Sequence, residues 1–288
     1  GFAVTDTGAE EGTAALYGLS MLHTLFNTIN TLLLIWFTGW ISKAVSYIIR
    51  TPENQEKEVF RLKYISAGSL ATPELSVEQA FEEIIHFAQV SKNGALYAKN
   101  AINEADTDRF EEYREKLVKY EEISDRIEYE IASFLNGVSS EEISESTSAK
   151  IKAMYKIIGE LESLGDSGET ISRILSRKNI HKKSFDAETM KNLNSMADAV
   201  CEAYDVMIAN LQAAHKGELT DITNAYNAEE HLNTLRNNYR DSVIENIDND
   251  GKNYQTNVYF MDIVNTFEHM GDYMINVSQD LKRAFVKK

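Results

Sequence analysis

The chain has 288 residues, of which 43% are apolar and only two are proline, a composition that favours long helices and predicts an all-α fold. Acidic residues outnumber basic ones by 45 to 29, and the formal net charge of −16 would repel nucleic-acid phosphates, which argues against nucleic acid as a partner. The single cysteine, Cys201, excludes an internal disulfide and a cysteine-based zinc site.

The first predicted element is a membrane helical segment within residues 1–50. From Ala14 to Ile49 the only Asp, Glu, Lys or Arg is Lys43, and tryptophans stand where an interfacial aromatic belt would place them. One span needs about 20 residues. The longer run therefore predicts one tilted helix, or a re-entrant piece followed by a span. Polar residues in its first half require helical partners that this chain does not supply, so we interpret the chain as part of a larger, multi-pass membrane protein.

Two polar residues of this segment, His23 and Asn27, are four positions apart and are expected to share a helix face. They are candidates for a transport path, and hydrogen bonding between helices is the alternative. Basic residues follow the apolar run and acidic residues precede it. The positive-inside tendency then places everything after Arg50 on the cytoplasmic side of the cell's inner (cytoplasmic) membrane.

Residues 51–73 are interpreted as a linker, because Pro52, Gly68 and Pro73 interrupt a stretch with no sustained apolar period. The region 74–288 has no proline, and its apolar residues recur at the helical spacing of three and four. Cap and stop residues divide it into six predicted helices. Matching motifs group these helices into two three-helix repeats, 74–180 and 186–288.

In each repeat, two helices carry a pair of polar residues four positions apart, a spacing that places both side chains on one face. The four pairs are Glu121 and Asp125, Glu162 and Asp166, Glu229 and Asn233, and Glu268 and Asp272. Such acids repel one another unless a cation compensates them, and carboxylate oxygens suit hard or borderline metal ions. Solvent-facing charges that bind nothing are the alternative.

A glycine precedes the second acid in two of these motifs, at Gly165 and Gly271. Glycine inside a helix costs about 1 kcal/mol relative to alanine. Its presence at this place in both repeats predicts the close approach of another backbone or of a ligand.

The Glu-x-x-Gly-Asp motifs, the acidic pairs before them and the tandem three-helix repeat resemble PhoU, the regulator associated with bacterial phosphate uptake. The resemblance covers about 74–288 and implies a PhoU-like tandem of two three-helix bundles. It also implies metal ligands, because the family binds multinuclear metal clusters at these positions. In the first repeat the implied ligands are Glu121, Asp125, Glu162 and Asp166, and in the second they are Glu229, Asn233, Glu268 and Asp272. The metal would be divalent or trivalent, with iron, zinc, manganese and magnesium as candidates.

The stretch from Leu22 to Asn30 is similar to the last membrane motif of the sodium-dependent phosphate cotransporter family, and the sequence around Pro73 resembles the junction to a PhoU-like domain in some bacterial members. This resemblance implies the C-terminal portion of a sodium-dependent inorganic phosphate transporter with a cytoplasmic regulatory domain. Phosphate and sodium would be bound by the membrane portion, which contacts lipid. A second copy of the chain or a regulatory protein would be the further partner.

A membrane-anchored PhoU-like signalling adaptor, which controls phosphate uptake through protein partners, is the alternative function. The polar membrane residues argue against it, since a simple anchor needs none. An enzyme is not expected, because no nucleophile or phosphate-binding glycine loop accompanies the acids.

Overall fold

The computed structural model describes residues 17–31, 62–65, 72–140, 142–250 and 254–286, with the backbone alone over 246–250. The chain forms two compact units, Gly1–Val59 and Phe60–Lys288. All regular secondary structure in the described ranges is helical, which confirms the predicted all-α class.

The described part of the first unit is one helix, α1, over residues 17–31, whose side chains are exposed. Two of its hydroxyl groups bond within the helix: Thr24 Oγ1 donates to the Ser20 carbonyl at 2.9 Å, and Thr28 Oγ1 donates to the Thr24 carbonyl at 2.8 Å. Among the described residues, no helix combines the length and the hydropathy that a membrane span requires. The other parts of the predicted membrane segment, 1–16 and 32–50, lie outside the described residues.

The described part of the second unit contains six helices of 28 to 36 residues. They are α2 Pro73–Asn103, α3 Thr107–Ser139, α4 Glu145–Ile180, α5 Ala187–His215, α6 Thr223–Asp250 and α7 Tyr254–Phe285. Four of them begin directly after an N-cap residue, whose side chain accepts a hydrogen bond from a backbone N–H of the first turn. Such a cap satisfies an N–H group that has no partner within the helix. These N-cap residues are Thr72, Asp106, Ser144 and Asp186.

The six helices pack as two groups of three, α2 to α4 and α5 to α7. One apolar core runs through both groups, with Ile127 and Ile157 fully buried in the first and Met196 and Phe267 in the second. The groups join along two helix pairs, α2 with α5 and α4 with α7.

Reciprocal ion pairs hold α2 against α5. Lys92 pairs with Asp205 and Lys99 with Asp198, so a step of seven residues up α2 is a step of seven down α5, and the two helices are antiparallel. At the 106-residue spacing of the repeats, Lys92 aligns with Asp198 and Lys99 with Asp205. Lys92 thus pairs with Asp205, which aligns with Lys99, and Lys99 pairs with Asp198, which aligns with Lys92. Exchanging the two repeats converts one ion pair into the other, as expected if a two-fold axis relates the repeats.

Residues 62–65 are bound to the bundle through Glu83 of α2. The Glu83 side chain has no exposed surface, and its Oε2 accepts hydrogen bonds from the backbone N–H groups of Lys63 at 2.7 Å and Tyr64 at 2.8 Å. Leu62 and Ile65, which flank Lys63 and Tyr64 in the sequence, pack against the apolar core. A buried carboxylate thus fixes four residues of the predicted linker 51–73 to the first helix of the bundle.

Candidate metal centre

Helices α3 and α4 approach closely where the acidic motifs lie. A methyl group at Gly165 of α4 would lie 2.5 Å from Ser124 Oγ of α3, and one at Gly271 of α7 would lie 2.7 Å from Leu232 Cδ1 of α6. Ser124 and Leu232 are 108 residues apart, the same spacing as the acidic pairs on their helices. A close approach is present at both glycines, but the approaching group is a side chain of the neighbouring helix and not the backbone or ligand that was predicted.

Three acids of the first repeat converge beside Gly165. Carboxylate oxygens of Glu121 and Asp125 from α3 and of Asp166 from α4 all lie within 4.8 Å of one another. Glu121 is half-buried, and the two aspartates are exposed. Three of the four residues predicted for this repeat are thus within reach of a single ion.

The fourth predicted residue, Glu162, lies one turn before Asp166 on α4, outside that group of three. Burial raises the pKa of Glu162, and the charges of Asp166, Asp125 and Glu128 raise it further, against one hydrogen bond from the Ser163 hydroxyl. Glu162 therefore adds negative charge to the same region without belonging to the group of three converging carboxylates.

Burial also raises the pKa of Glu121 and of Asp166, with Asp125 and Glu169 adding to both shifts through their charges. Arg173 acts in the opposite direction on Asp166, and its Nε lies 3.0 Å from Glu169. Acids gathered at one place with little positive charge between them bind protons more tightly than isolated acids do. A metal ion would relieve the same repulsion.

The residues present fit a metal ion of the hard class. All three converging ligands are carboxylates, which suit magnesium, manganese and iron better than softer ions. Ser124 Oγ lies between Glu121 and Asp125 in the sequence, is buried, and has no hydrogen-bond partner within the described ranges. An unpaired buried hydroxyl next to this group is what an absent ligand would leave.

The second repeat is organised differently. Glu268, His269 and Asp272 have ligand atoms within 4.8 Å of one another, but all three belong to α7. On α6 the Asn233 amide donates to Glu229 Oε1, so those two predicted ligands bond to each other. The four residues that the resemblance implies for this repeat are therefore not gathered at one point.

Sequence reasoning missed the arginine of the second repeat. Arg236 Nη2 donates to Glu268 Oε1 at 2.7 Å, and His269 Nδ1 lies 3.4 Å from Glu268 Oε2. A signal was available, because aligning the repeats at 108 residues places Arg236 against Glu128 and so reverses the charge at one position.

In α1 the two candidate transport residues lie side by side, with Asn27 Nδ2 3.2 Å from His23 Nδ1. The prediction that they share a helix face is therefore confirmed, whereas their part in transport remains a prediction.

No protein-family model and no curated protein matches the chain. Among solved structures, the fold is similar to that of PhoU from Pseudomonas aeruginosa, with a TM-score of 0.58 and 12% identity over 73% of this chain and 97% of that one. It is also similar to the phosphate transport system regulatory protein PhoU from Streptococcus pneumoniae, with a TM-score of 0.60 and 15% identity over 75% of this chain and all of that one. Identities this low establish the fold alone, and the helical bundle of this chain has the PhoU fold.

Proposed function

We propose that the bundle is a metal-binding domain that regulates phosphate transport. The observation that carries the proposal is the convergence of Glu121, Asp125 and Asp166 from two helices, in a fold shared with phosphate-transport regulators. The three carboxylates would hold the ion between α3 and α4, and Glu162 and Glu169 would add negative charge around it. The ion would then neutralise a repulsion that the bare site retains.

The state of this site would influence how the bundle packs. Asp166 directly follows Gly165, whose contact with Ser124 sets the spacing of α3 and α4. An ion that draws Asp166 toward Glu121 and Asp125 therefore acts on the same contact. A regulatory protein or a second copy of the chain would sense the change at the exposed face of these helices.

We further propose that the segment before the bundle belongs to a sodium-dependent phosphate transporter of the cytoplasmic membrane. Two features of α1 support this: its apolar side chains Leu22, Leu25 and Phe26 are exposed, and the hydroxyls of Thr24 and Thr28 are satisfied inside the helix. Polar groups in lipid must be satisfied in this way. His23 and Asn27 would then line the path of phosphate and sodium, and residues after Arg50 would be cytoplasmic.

Uptake of radiolabelled phosphate into vesicles that contain the full-length protein tests the transport proposal. Asn27→Leu should lower sodium-dependent uptake, whereas Leu25→Ala, on the opposite face of α1, should leave it near the wild-type rate. Normal uptake by a well-expressed Asn27→Leu variant would remove this residue from the path.

The same vesicles separate the two functions left open by the sequence. A transporter accumulates phosphate only when a sodium gradient is imposed. If the wild-type vesicles accumulate none while the bundle still binds metal, the chain is a membrane-anchored adaptor, and the phosphate traffic belongs to a partner.

A further inference from the structure

Arg236 of α6 lies inside the acidic motif of the second repeat. Its Nη2 donates to Glu268 Oε1 of α7 at 2.7 Å, with 26% of the Arg236 side chain and 12% of the Glu268 side chain exposed. Arg236 Nε is buried and meets no acceptor within the described part of the chain. Leaving a buried donor unpaired is costly. The bond from Nη2 to Glu268 therefore offsets the cost of burying the guanidinium between α6 and α7.

Other polar groups of this motif also lie near polar groups within the chain. The Asn233 amide donates to Glu229 Oε1. His269 Nδ1 lies 3.4 Å from Glu268 Oε2 and 3.7 Å from Asp272 Oδ2. Both oxygens of Glu268 and one oxygen of Glu229 therefore already face a nitrogen of a neighbouring side chain.

The first repeat has the opposite charge at the aligned position. Glu128 corresponds to Arg236 at the 108-residue spacing that also aligns Glu121 with Glu229. Glu128 lies close enough to Glu162 to raise the pKa of that carboxyl, just as Arg236 lies against the aligned Glu268. One position thus adds a negative charge to one motif and a positive charge to the other.

A metal ion at the acidic motif of the second repeat would either displace the guanidinium from Glu268 Oε1 or bind Glu268 Oε2 next to the positive charge of Arg236. The displaced Arg236 would remain on α6, partly buried beside a multivalent cation and without its partner. Breaking a largely buried ion pair by removing one partner is strongly destabilising, because the remaining charge is left without compensation. Among the residues that the structure describes, no such pair has to be broken at the converging carboxylates of the first repeat.

We infer that Arg236 supplies the positive charge that neutralises the acidic motif of the second repeat, so that this repeat binds no metal ion. The protein then binds metal in the first repeat alone. The inference rests on the proposed metal binding of the first repeat for its contrast. It departs from the family resemblance, which implies metal ligands in both repeats.

Equilibrium dialysis against manganese, followed by elemental analysis of the chelator-stripped whole chain, tests the inference. Asp166→Asn should lose most of the bound manganese, and Asp272→Asn should keep all of it. The paired substitution Arg236→Glu with Asn233→Asp should bind additional manganese that Asp272→Asn then removes. Glu128→Arg, the reciprocal change, should lower the manganese content of the first repeat.

Arg240→Gln is the matched control, because it removes an exposed positive charge from the same helix, and it should leave the manganese content unchanged. Arg236→Met, which keeps an apolar stem, replaces Arg236→Glu if the latter fails to fold, and it should also gain manganese once combined with Asn233→Asp.

Loss of manganese from wild-type protein upon Asp272→Asn would overturn the inference, as would an unchanged content in folded variants that lack Arg236. Wild-type protein that binds no manganese would instead sink the proposed metal function of the first repeat. In that case a gain in the Arg236 variants would still support the role of Arg236.

Discussion

Ser124 of α3 occupies the space that Gly165 of α4 leaves open, since a methyl group at position 165 would lie 2.5 Å from Ser124 Oγ and 2.7 Å from its Cβ. Neither atom belongs to the far end of a flexible side chain. A larger residue at 165 would therefore have to move α3 away from α4, and the acids on both helices would separate.

Gly165→Ala should lower the free energy of unfolding, because overpacking a tight contact costs about 1–3 kcal/mol and exceeds the gain in helix propensity. Gly159→Ala is the matched control on the same helix, where a new methyl group meets nothing within 4 Å. The control should stabilise the protein by about 1 kcal/mol. Urea unfolding of both variants measures the difference, and equal effects would show that α3 and α4 are not in tight contact at Gly165.

A buried hydrogen bond joins the two repeats. The hydroxyls of Ser91 on α2 and Tyr204 on α5 are 2.9 Å apart, and Tyr204 has no exposed surface. Tyr204→Phe leaves Ser91 buried and unpaired, so it should cost about 1–3 kcal/mol in the free energy of unfolding. Tyr226→Phe, at an exposed tyrosine, should cost almost nothing. Adding Ser91→Ala to Tyr204→Phe should recover part of the loss, and additive losses would contradict the pairing.

Glu83 should control the attachment of residues 62–65. In the Glu83→Ala variant the backbone N–H groups of Lys63 and Tyr64 lose their acceptor, and hydrogen exchange at these two amides should speed up. Glu82→Ala, one residue earlier on α2, is the control and should leave their exchange rates unchanged. Equal exchange rates in the two variants would show that the hydrogen bonds to Glu83 do not hold residues 62–65 in place.

The N-cap of α5 gives a pH-dependent contribution to stability. The backbone hydrogen bond from Thr189 holds the pKa of Asp186 below its ordinary value of 3.8. The stabilisation is therefore fully present above pH 3.8 and is lost as the pH falls through the lower, folded-state pKa. Asp186→Ala should cost about 1 kcal/mol at pH 7 and progressively less in acid.

Ser144→Ala is the control for this titration, because Ser144 caps α4 through a hydroxyl that does not titrate. Denaturant unfolding at a series of pH values should give a constant cost for Ser144→Ala and a shrinking one for Asp186→Ala. A loss of unfolding free energy that is independent of pH in both variants would show that the charge of Asp186 does not contribute to the cap.

The helical bundle could be predicted from local patterns. Proline is absent after Pro73, and cap residues such as Asp106 and Asp186 stand where helices begin. These signals are local because a helix satisfies its own backbone, and its ends need nearby acceptors. Glu83 gave no such signal, because its partners are backbone groups about twenty residues away, whose identity the sequence does not encode.

The first acidic group could be predicted in part. The spacing of four places Glu121 and Asp125 on one face, but only the packing of α3 against α4 brings Asp166 to them and leaves Glu162 a turn away. Arg236 was missed because the spacing of the acidic residues does not indicate which basic residue neutralises them. The charge reversal relative to Glu128 becomes visible only when the two repeats are aligned position by position.

Metal-dependent thermal stability of chelator-stripped protein decides whether the first repeat binds a metal ion. If Glu121, Asp125 and Asp166 hold an ion, manganese at 100 times its Kd should stabilise the wild-type fold by about 2.7 kcal/mol. Asp166→Asn should abolish most of this shift, and Asp272→Asn should retain it. The shift should also shrink in acid, because protons compete for carboxyls whose pKa values are already raised. No shift with manganese, iron, zinc or magnesium would contradict the account and leave these acids as solvated surface charges.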